Sequence, residues 1–431
     1  MRRSPGQGAA ILMVLIAVSA LPDALPAADR VPRPEFQSGY QLPQASTPAP
    51  RSPWLEYLDV LVLGVALAAS GWLSIRARSR EGIFALGVFS IAYFGFFRKG
   101  CICPIGSIQN AALALFDPSY ALPLTAVAFF VLPLLAVLLV GRTYCGSVCP
   151  FGALQDLLIV KPLRLPRWLA VPLGFVPVVY LSLAVLFSAT GSEFVICRFD
   201  PFIGFFRQGG SAETLALGAS FLLLGTVVAR PYCRFLCPYG VLLGWLSRLS
   251  HRHLTVTPDS CVNCALCGES CPVDALRGPS PAPAPPAPAE RRALILSLAA
   301  LPILVALGAA AGAQLAPILA RVHPTVRLAE QVAREDAGVT ADTTLESVTF
   351  RSGSTAPAEL AQDARRLRDR FAVGSPLLGG FVMLVVGAGL IGSFRRWKRD
   401  DHHPDRGECI SCGRCFSYCP REHLRIREAH R

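Results

Sequence analysis

Eight long apolar segments constrain the fold of this chain more than any other feature of its sequence. A helix needs about 20 predominantly apolar residues to cross the hydrocarbon core of a bilayer. Charged residues make up only 16% of the 431 residues, too few to cover the surface of a water-soluble protein of this length. The sequence therefore predicts an all-α polytopic membrane protein with seven or eight transmembrane helices. The candidates are Ala9–Pro26, Tyr57–Ile75, Gly82–Phe97, Ala121–Val140, Leu169–Ala189, Ala212–Ala229, Ala293–Gly312 and Pro376–Phe394.

The positive charges predict how these segments are oriented. Lys and Arg concentrate on the cytoplasmic side of membrane proteins. With the N-terminus placed inside, 26 of the 41 Lys and Arg lie in inner segments, and 7 lie in the three short outer ones. We expect a multi-pass protein of a bacterial inner membrane with its C-terminus in the cytoplasm. Because the charges flank the apolar segments, the net charge of +12 does not predict nucleic-acid binding.

The stretches between the spans differ in character. Residues 1–28 predict either a cleaved signal peptide or a first transmembrane helix, and both alternatives stay open. Residues 278–292 are rich in Pro and Ala, which favours a stiff, extended linker. The outer loop at 313–375 predicts a periplasmic helical hairpin. The other expected regions are a membrane core at 57–250, two halves of one ferredoxin module at 251–277 and 395–431, and single helices at 293–312 and 376–394.

Two cysteine runs share the spacing C-x2-C-x2-C-x3-C-P. This is the bacterial ferredoxin spacing for 4Fe–4S clusters, in which the fourth cysteine serves the other cluster. Three thiolates on one tight loop can bind three corners of a cubane, and the distant fourth completes the site. Zinc, or a chance grouping of cysteines, is the alternative. The runs are Cys261, Cys264, Cys267 and Cys271 before Pro272, and Cys409, Cys412, Cys415 and Cys419 before Pro420.

The two runs lie 138 residues apart, on either side of two predicted spans. One span leads outward and the next returns, so both runs face the inside. We expect them to reunite as a small α+β ferredoxin-like module with two 4Fe–4S clusters on the cytoplasmic side. One cluster would be held by Cys261, Cys264, Cys267 and Cys419, and the other by Cys409, Cys412, Cys415 and Cys271.

A weaker repeat, C-x3-C-P followed by an aromatic residue and Gly, occurs twice at the inner ends of predicted spans. Proline directly after a cysteine suits the first position of a helix, and the positive end of the helix dipole then faces the sulfur. Two such helix starts can hold an anionic cluster with four thiolates. Two pairs of buried structural cysteines are the alternative. The residues are Cys145, Cys149, Cys233 and Cys237.

A related pattern lies on the expected outer face. Cys101 and Cys103 precede Pro104, and Cys197 is followed by Asp200, which occupies the position before proline where the other motifs have cysteine. Three thiolates and one carboxylate can bind a 4Fe–4S or three-iron cluster. A disulfide is a competing interpretation because the periplasm is oxidising, and inert thiols are a third.

The pattern from Gly100-Cys101-Ile102-Cys103-Pro104 through Arg234-Phe235-Leu236-Cys237-Pro238-Tyr239-Gly240 resembles the membrane 4Fe–4S proteins related to NosR and NapH. The resemblance covers roughly residues 57–275 and 405–420. It implies that the ferredoxin cysteines and the two C-x3-C-P pairs ligate clusters that relay electrons across the cytoplasmic membrane.

The chain departs from that family in two ways. NosR-like proteins carry a periplasmic FMN-binding domain before the membrane core, whereas this chain has about 28 outer residues there. NapH-like proteins end after an uninterrupted ferredoxin pair, whereas here two spans separate the halves. A separate flavinylated protein on the outer face is an analogy-based candidate for the missing domain.

The sequence thus predicts an electron-transfer component rather than a substrate-converting enzyme. It would relay electrons between a cytoplasmic donor or acceptor and a periplasmic redox partner. An assembly or maturation factor for a respiratory metalloenzyme and a redox-sensing regulator are the alternatives.

Overall fold

The computed structural model describes residues 52–100, 103–160, 162–256, 261–280, 288–340, 343–353, 356–393 and 401–429. The predicted first segment, Ala9–Pro26, and Cys101 lie outside the described residues. The protein is mostly helical, and the strands of the described part form a single two-stranded sheet.

Five helices are long and apolar enough to cross a membrane. The Pro133-containing helix Leu124–Val140 and the helix Ala212–Val227 are apolar but shorter. These seven helices match the predicted spans from Tyr57 onward, most of them to within three residues at each end. The five longer candidates are Trp54–Ile75, Arg80–Phe97, Trp168–Ala189, Arg291–Ala320 and Pro357–Gly392.

Short helices and turns connect the spans, and many begin at proline. Proline is tolerated at the first helical position because the N–H it lacks has no partner there. The helices before the first strand, in chain order, are Pro53–Ile75, Arg80–Ser90 with a π-helical turn at Ile91–Phe97, Pro104–Phe116, Leu124–Val140, a π-helical turn at Tyr144–Val148, Pro150–Leu158, Arg167–Leu173, Val176–Ala189, Val195–Phe199, Ile203–Arg207, Ala212–Val227, Pro231–Phe235, Pro238–Ser247 and Leu266–Ser270.

The remaining elements are the two strands and the helices around them. Strand β1 (Leu276–Arg277) pairs in antiparallel register with β2 (His403–Pro404). The helices are Pro288–Ala320, Pro324–Asp336, Leu345–Ser352, Pro357–Ser393, Arg414–Ser417 and Pro420–Ala429.

Two helices extend well beyond their predicted spans. Pro288–Ala320 has 33 residues and Pro357–Ser393 has 37. At 1.5 Å per residue each is about 50 Å long, more than a hydrocarbon core of about 30 Å, so their ends project from any bilayer. The first begins at Pro288, inside the expected linker 278–292, and both extend into the expected loop 313–375. Within that loop, Pro324–Asp336 and Leu345–Ser352 add two more helices.

Glycines allow these two long helices to pack closely. A Cβ at Gly379 would lie 2.0 Å from the carbonyl oxygen of Gly308, and one at Gly312 would lie 2.1 Å from that of Ser375. Small residues permit such backbone approach between membrane helices, where packing rather than burial from water drives association. The two long helices, which form a helical hairpin, are thus held together by close backbone contact.

The main core lies between the earlier helices and is rich in aromatic side chains. Phe151 packs against Phe202, Phe206 and Tyr232, all of them buried. Cys145, Cys149 and Cys237 belong to the same core, as do Ile410 and Cys412 from the C-terminal segment. The last two residues show that the C-terminal cysteine run packs directly on the membrane helices.

Candidate functional site

The β1–β2 pairing joins the two ferredoxin runs. Leu276 pairs with Pro404 and Arg277 with His403, so the chain just after Cys271 lies beside the chain just before Cys409. The short helices that carry the two runs, Leu266–Ser270 and Arg414–Ser417, also contact each other. Segments separated by two long helices thereby form one cysteine-rich unit.

Two cavities lie in this unit, and each is lined by four cysteines. The first has a volume of about 280 Å³, and the second of about 330 Å³, each including its opening to solvent. Each takes three cysteines from one run and one from the other, the same grouping that the sequence predicts. The first set is Cys261, Cys264, Cys267 and Cys419, and the second is Cys271, Cys409, Cys412 and Cys415.

Burial favours the protonated form of two of these thiols, Cys267 and Cys409, while they are free. It raises the pKa of Cys267 to about 11 and that of Cys409 to about 12. Neighbouring cysteines of the same set raise both pKa values further. Thiolates are the metal-binding form, so metal binding must release protons and supply the compensating positive charge.

The donor set fits an iron–sulfur cluster. Each cavity is lined by four cysteines, three from one run and one from the other. This is the ligand set that the bacterial ferredoxin spacing provides for a 4Fe–4S cluster.

The membrane-core cysteines sit at helix starts, as the Cys-Pro pattern predicts. Cys103, Cys149 and Cys237 are the N-cap residues of helices that begin at Pro104, Pro150 and Pro238. The Cys237 sulfur accepts a hydrogen bond of 3.3 Å from the backbone N–H of Gly240. Unpaired N–H groups at a helix start favour negative charge, so the Gly152 and Gly240 N–H groups lower the pKa of Cys149 and Cys237 and offset part of the effect of burial.

Four core cysteines form a third set. Burial raises the pKa of Cys149 most, and the nearby thiols of Cys233, Cys145 and Cys103 raise it further. The pKa of Cys237 is raised in the same way, first by burial and then by Cys233, Cys149 and Cys145. The structure therefore brings together Cys145, Cys149, Cys233 and Cys237, the four residues that the sequence predicts.

On the expected outer side, the structure brings together three residues that form an outer trio: Cys103, Cys197 and Asp200. Burial raises the pKa of Cys103, and the charges of Asp200 and Cys197 add to the shift. Both cysteines are free thiols. Asp200 is buried and accepts 2.8 Å and 3.4 Å hydrogen bonds from the Phe202 backbone N–H and the Tyr232 hydroxyl.

Two buried glutamines contact the cysteine segments that complete the third set and the outer trio. The Gln155 side chain donates to the Cys233 sulfur (3.3 Å) and accepts from the Tyr232 backbone N–H (3.2 Å). Gln109 accepts from the backbone N–H of Cys197 at 3.2 Å. Neither glutamine is predicted from the sequence as a functional residue. Their signal is the repeat C-P-x-G-x-x-Q, which occurs at Cys103 and again at Cys149.

Buried arginines surround the third set. The Arg142 guanidinium lies 3.9 Å from the Cys145 sulfur, and Arg230 is completely buried. The Nε atoms of both, and of Arg414, are buried without a hydrogen-bond partner within the described part of the chain. Such groups are costly unless an anion compensates them. An anionic cluster held by the neighbouring thiolates would provide that compensation.

Known proteins match the same cysteine-bearing segments. A 4Fe–4S binding domain matches residues 122–169 and 213–257, which include the third set, and a second 4Fe–4S binding domain matches residues 254–277. These matches indicate that 4Fe–4S clusters are the cofactors of this chain.

The similar proteins include several membrane ferredoxin-type proteins. YccM of Escherichia coli, provisionally named an electron transport protein, is 32% identical over 39% of this chain and 52% of its own length. The regulatory protein NosR of Pseudomonas aeruginosa is 29% identical over 47% of this chain and 30% of its own length. The ferredoxin-type protein MauN of Methylobacillus flagellatus, from methylamine utilisation, is 25% identical over 32% of this chain and 51% of its own length.

These comparisons confirm the predicted resemblance to NosR-related membrane 4Fe–4S proteins. The matches to the three named relatives cover about half of their lengths or less. No solved structure matches the chain.

Proposed function

We propose that this relative of NosR-type 4Fe–4S proteins is a multi-pass inner-membrane protein that carries electrons between the two sides of the bilayer. The observation that carries the proposal is a series of neighbouring cysteine sets in which the sets at the two ends contain exposed cysteines. Cys264 in the first set and Cys197 in the outer trio are exposed, whereas Cys267, Cys412 and Cys149 between them are buried. Exposed ends suit exchange with partners, and a buried interior suits transfer within the protein.

Consecutive sets in this series lie close together. The first two share the two ferredoxin runs, so Cys419 of the first follows Cys415 of the second by four residues. Gly146, next to Cys145, packs against the Ile410 carbonyl, which links the third set to the second. The hydroxyl of Tyr232, next to Cys233, donates a 3.4 Å hydrogen bond to Asp200, which links the third set to the outer trio.

The cysteine sets would hold 4Fe–4S clusters, which supply reversible one-electron transfer when bound. We propose four sites: the two ferredoxin sets, the third set, and the outer trio completed by Cys101. The chain itself contributes thiolates at helix starts, buried arginines that compensate negative charge, and an apolar bundle that excludes water. Burial and hydrogen bonds to the sulfurs tune the reduction potential of such centres.

The topology in this proposal places both termini and the ferredoxin unit in the cytoplasm. The excess of Lys and Arg in the inner segments supports it, as does the pairing of β1 with β2, since paired strands must lie on one side of the membrane. A cytoplasmic donor or acceptor would meet the first set, and a periplasmic redox partner, with a flavinylated protein as one candidate, would meet the outer trio.

Electron transfer across vesicles tests this function. The purified protein is reconstituted in liposomes that contain a trapped reductant, and a membrane-impermeant acceptor is added outside. We expect reduction of the acceptor by the wild type and none by Cys237→Ser, which breaks the third set. Iron analysis is the control: the variant should lose about one cluster's iron and keep the rest. No transfer by a wild type with full iron would refute the proposal.

Redox-sensing regulation is a second candidate, favoured by one observation: the NosR relative is named a regulatory protein. The vesicle assay separates the two, because a sensor needs no transfer across the bilayer. A deletion strain in which transcript levels change before respiratory flux would support the sensor instead.

A further inference from the structure

One contact between the C-terminal cysteine run and the membrane core is built around a buried carboxylate. Asp156 lies on the helix Pro150–Leu158, which begins directly after Cys149, and its side chain is 6% exposed. Three arginines from three separate parts of the chain surround it. The N–O distances are 2.5 Å to Arg80, 3.3 Å to Arg230 and 3.3 Å to Arg414.

Each arginine also belongs to, or reaches, a cysteine-bearing loop. Arg80 donates a 2.7 Å hydrogen bond to the carbonyl of Cys412 in the second set. Arg230 donates a 2.5 Å hydrogen bond to the carbonyl of Cys145 in the third set. Arg414 lies between Cys412 and Cys415 in the sequence. The carboxylate therefore stands at the junction of the second and third sets.

The charges around Asp156 indicate what the carboxylate does at this junction. Three guanidinium groups and one carboxylate leave an excess of positive charge in a buried region, which suits the anionic thiolate sets on both sides. Without the carboxylate the three arginines would repel one another with no compensating group among them. Removing one partner from a buried ion network is strongly destabilising because it leaves charges uncompensated.

Other contacts at this boundary do not involve Asp156. Arg142 donates a 2.7 Å hydrogen bond to the Gly407 carbonyl, and Ser247 donates one of 2.6 Å to the Arg406 carbonyl. They hold the start of the C-terminal run, and a buried Arg78–Glu422 ion pair holds its end. Around Cys412 and Cys415, the arginines of the Asp156 network act beside Arg78, whose guanidinium lies 5.0 Å from the centre of the Phe416 ring.

We infer that Asp156 is a positioning residue that fixes the second cysteine set against the third by clamping Arg80, Arg230 and Arg414 together. This inference rests on the proposed electron-transfer function for its purpose. The docking itself does not, because the clamp consists only of residues of this chain.

Hydrogen exchange on the intact, iron-loaded protein tests the clamp. Asp156→Asn removes the charge with little change of shape, and Asp156→Glu restores it. The matched control is Asp274→Asn, which breaks the exposed Arg164–Asp274 pair (4.0 Å) between the membrane core and the first ferredoxin run. We expect backbone exchange in residues 409–417 to accelerate at least about tenfold in Asp156→Asn, to recover partly in Asp156→Glu, and to stay unchanged in Asp274→Asn.

Iron content and vesicle transfer complete the test. Wild-type iron with slower transfer in Asp156→Asn supports a positioning role. Unchanged exchange in that variant overturns the inference, as does loss of iron with normal exchange, which would mean that Asp156 retains the cofactor instead. If the wild type carries no electrons but the exchange results hold, the proposed function fails and the clamp stands.

Discussion

Gly146 offers a direct test of how tightly the C-terminal run docks on the membrane core. It lies in the π-helical turn Tyr144–Val148, between Cys145 and Cys149. A Cβ at this position would lie 2.6 Å from the carbonyl oxygen of Ile410 and 3.0 Å from that of Ser411. Both are backbone atoms, so no side chain can rotate away. In Gly146→Ala the two backbones must separate by several tenths of an ångström.

The expected cost follows from this contact. Overpacking a well-packed site by one methyl group typically costs about 1–3 kcal/mol, which corresponds to about a 5–150-fold change in the docking equilibrium. The backbone of Gly146 has no positive φ, so alanine is strained by the contact and not by its own conformation. The loss should appear at the interface between the second and third sets.

Hydrogen exchange of residues 405–419 measures the docking equilibrium, because exchange of protected amides follows the population of the open state. We expect acceleration of about 5–150-fold in Gly146→Ala and slower transfer in vesicles. Gly268→Ala is the matched control, since it lies next to Cys267 but a Cβ there meets nothing within 4 Å. Wild-type exchange in Gly146→Ala, or equal acceleration in both variants, would refute the close docking.

Two further predictions address the same unit. Burial opposes ionisation of Asp156, but the charges of Arg80, Arg230 and Arg414 outweigh it and hold the pKa of this carboxyl well below its usual value. Its stabilising effect is therefore complete above about pH 4 and is lost only as the pH falls through the lowered pKa. The protection of residues 409–417 from hydrogen exchange, corrected for intrinsic exchange rates, should therefore be constant from pH 8 to pH 5. A decline in protection centred above pH 5 would contradict the assignment. Deletion of residues 395–431 should remove both ferredoxin clusters, about eight iron atoms, because each cavity takes cysteines from both runs. Loss of only one cluster, measured by iron content and EPR, would contradict the shared arrangement.

Local features of the site could be predicted from the sequence because their chemistry depends on neighbours along the chain. Proline after Cys149 and Cys237 specifies a helix start whatever surrounds it, and the structure has helices there. The apolar segments are equally local, and the bounds of most spans agree closely with the prediction. The long hairpin helices extend further because the residues beyond their apolar parts are also helical.

Contacts between distant segments could not be predicted in the same way. Asp156 is the one acidic residue of its helix, and nothing near it in the sequence shows that Arg80, Arg230 and Arg414 will converge on it. The positions of Gln109 and Gln155 were readable in principle from their shared repeat. Their partners at Cys197 and Cys233 were not, because those contacts span 88 and 78 residues.

The sequence by itself determined that this chain is an apolar helical protein with cysteines at helix starts and in ferredoxin spacing, since hydropathy and short-range spacing act within a few residues. Only the tertiary structure decided how the cysteine sets follow one another from Cys264 to Cys197. That order depends on a backbone contact at Gly146 and on a buried carboxylate between three arginines. Such contacts form only when the packed helices bring these distant segments together.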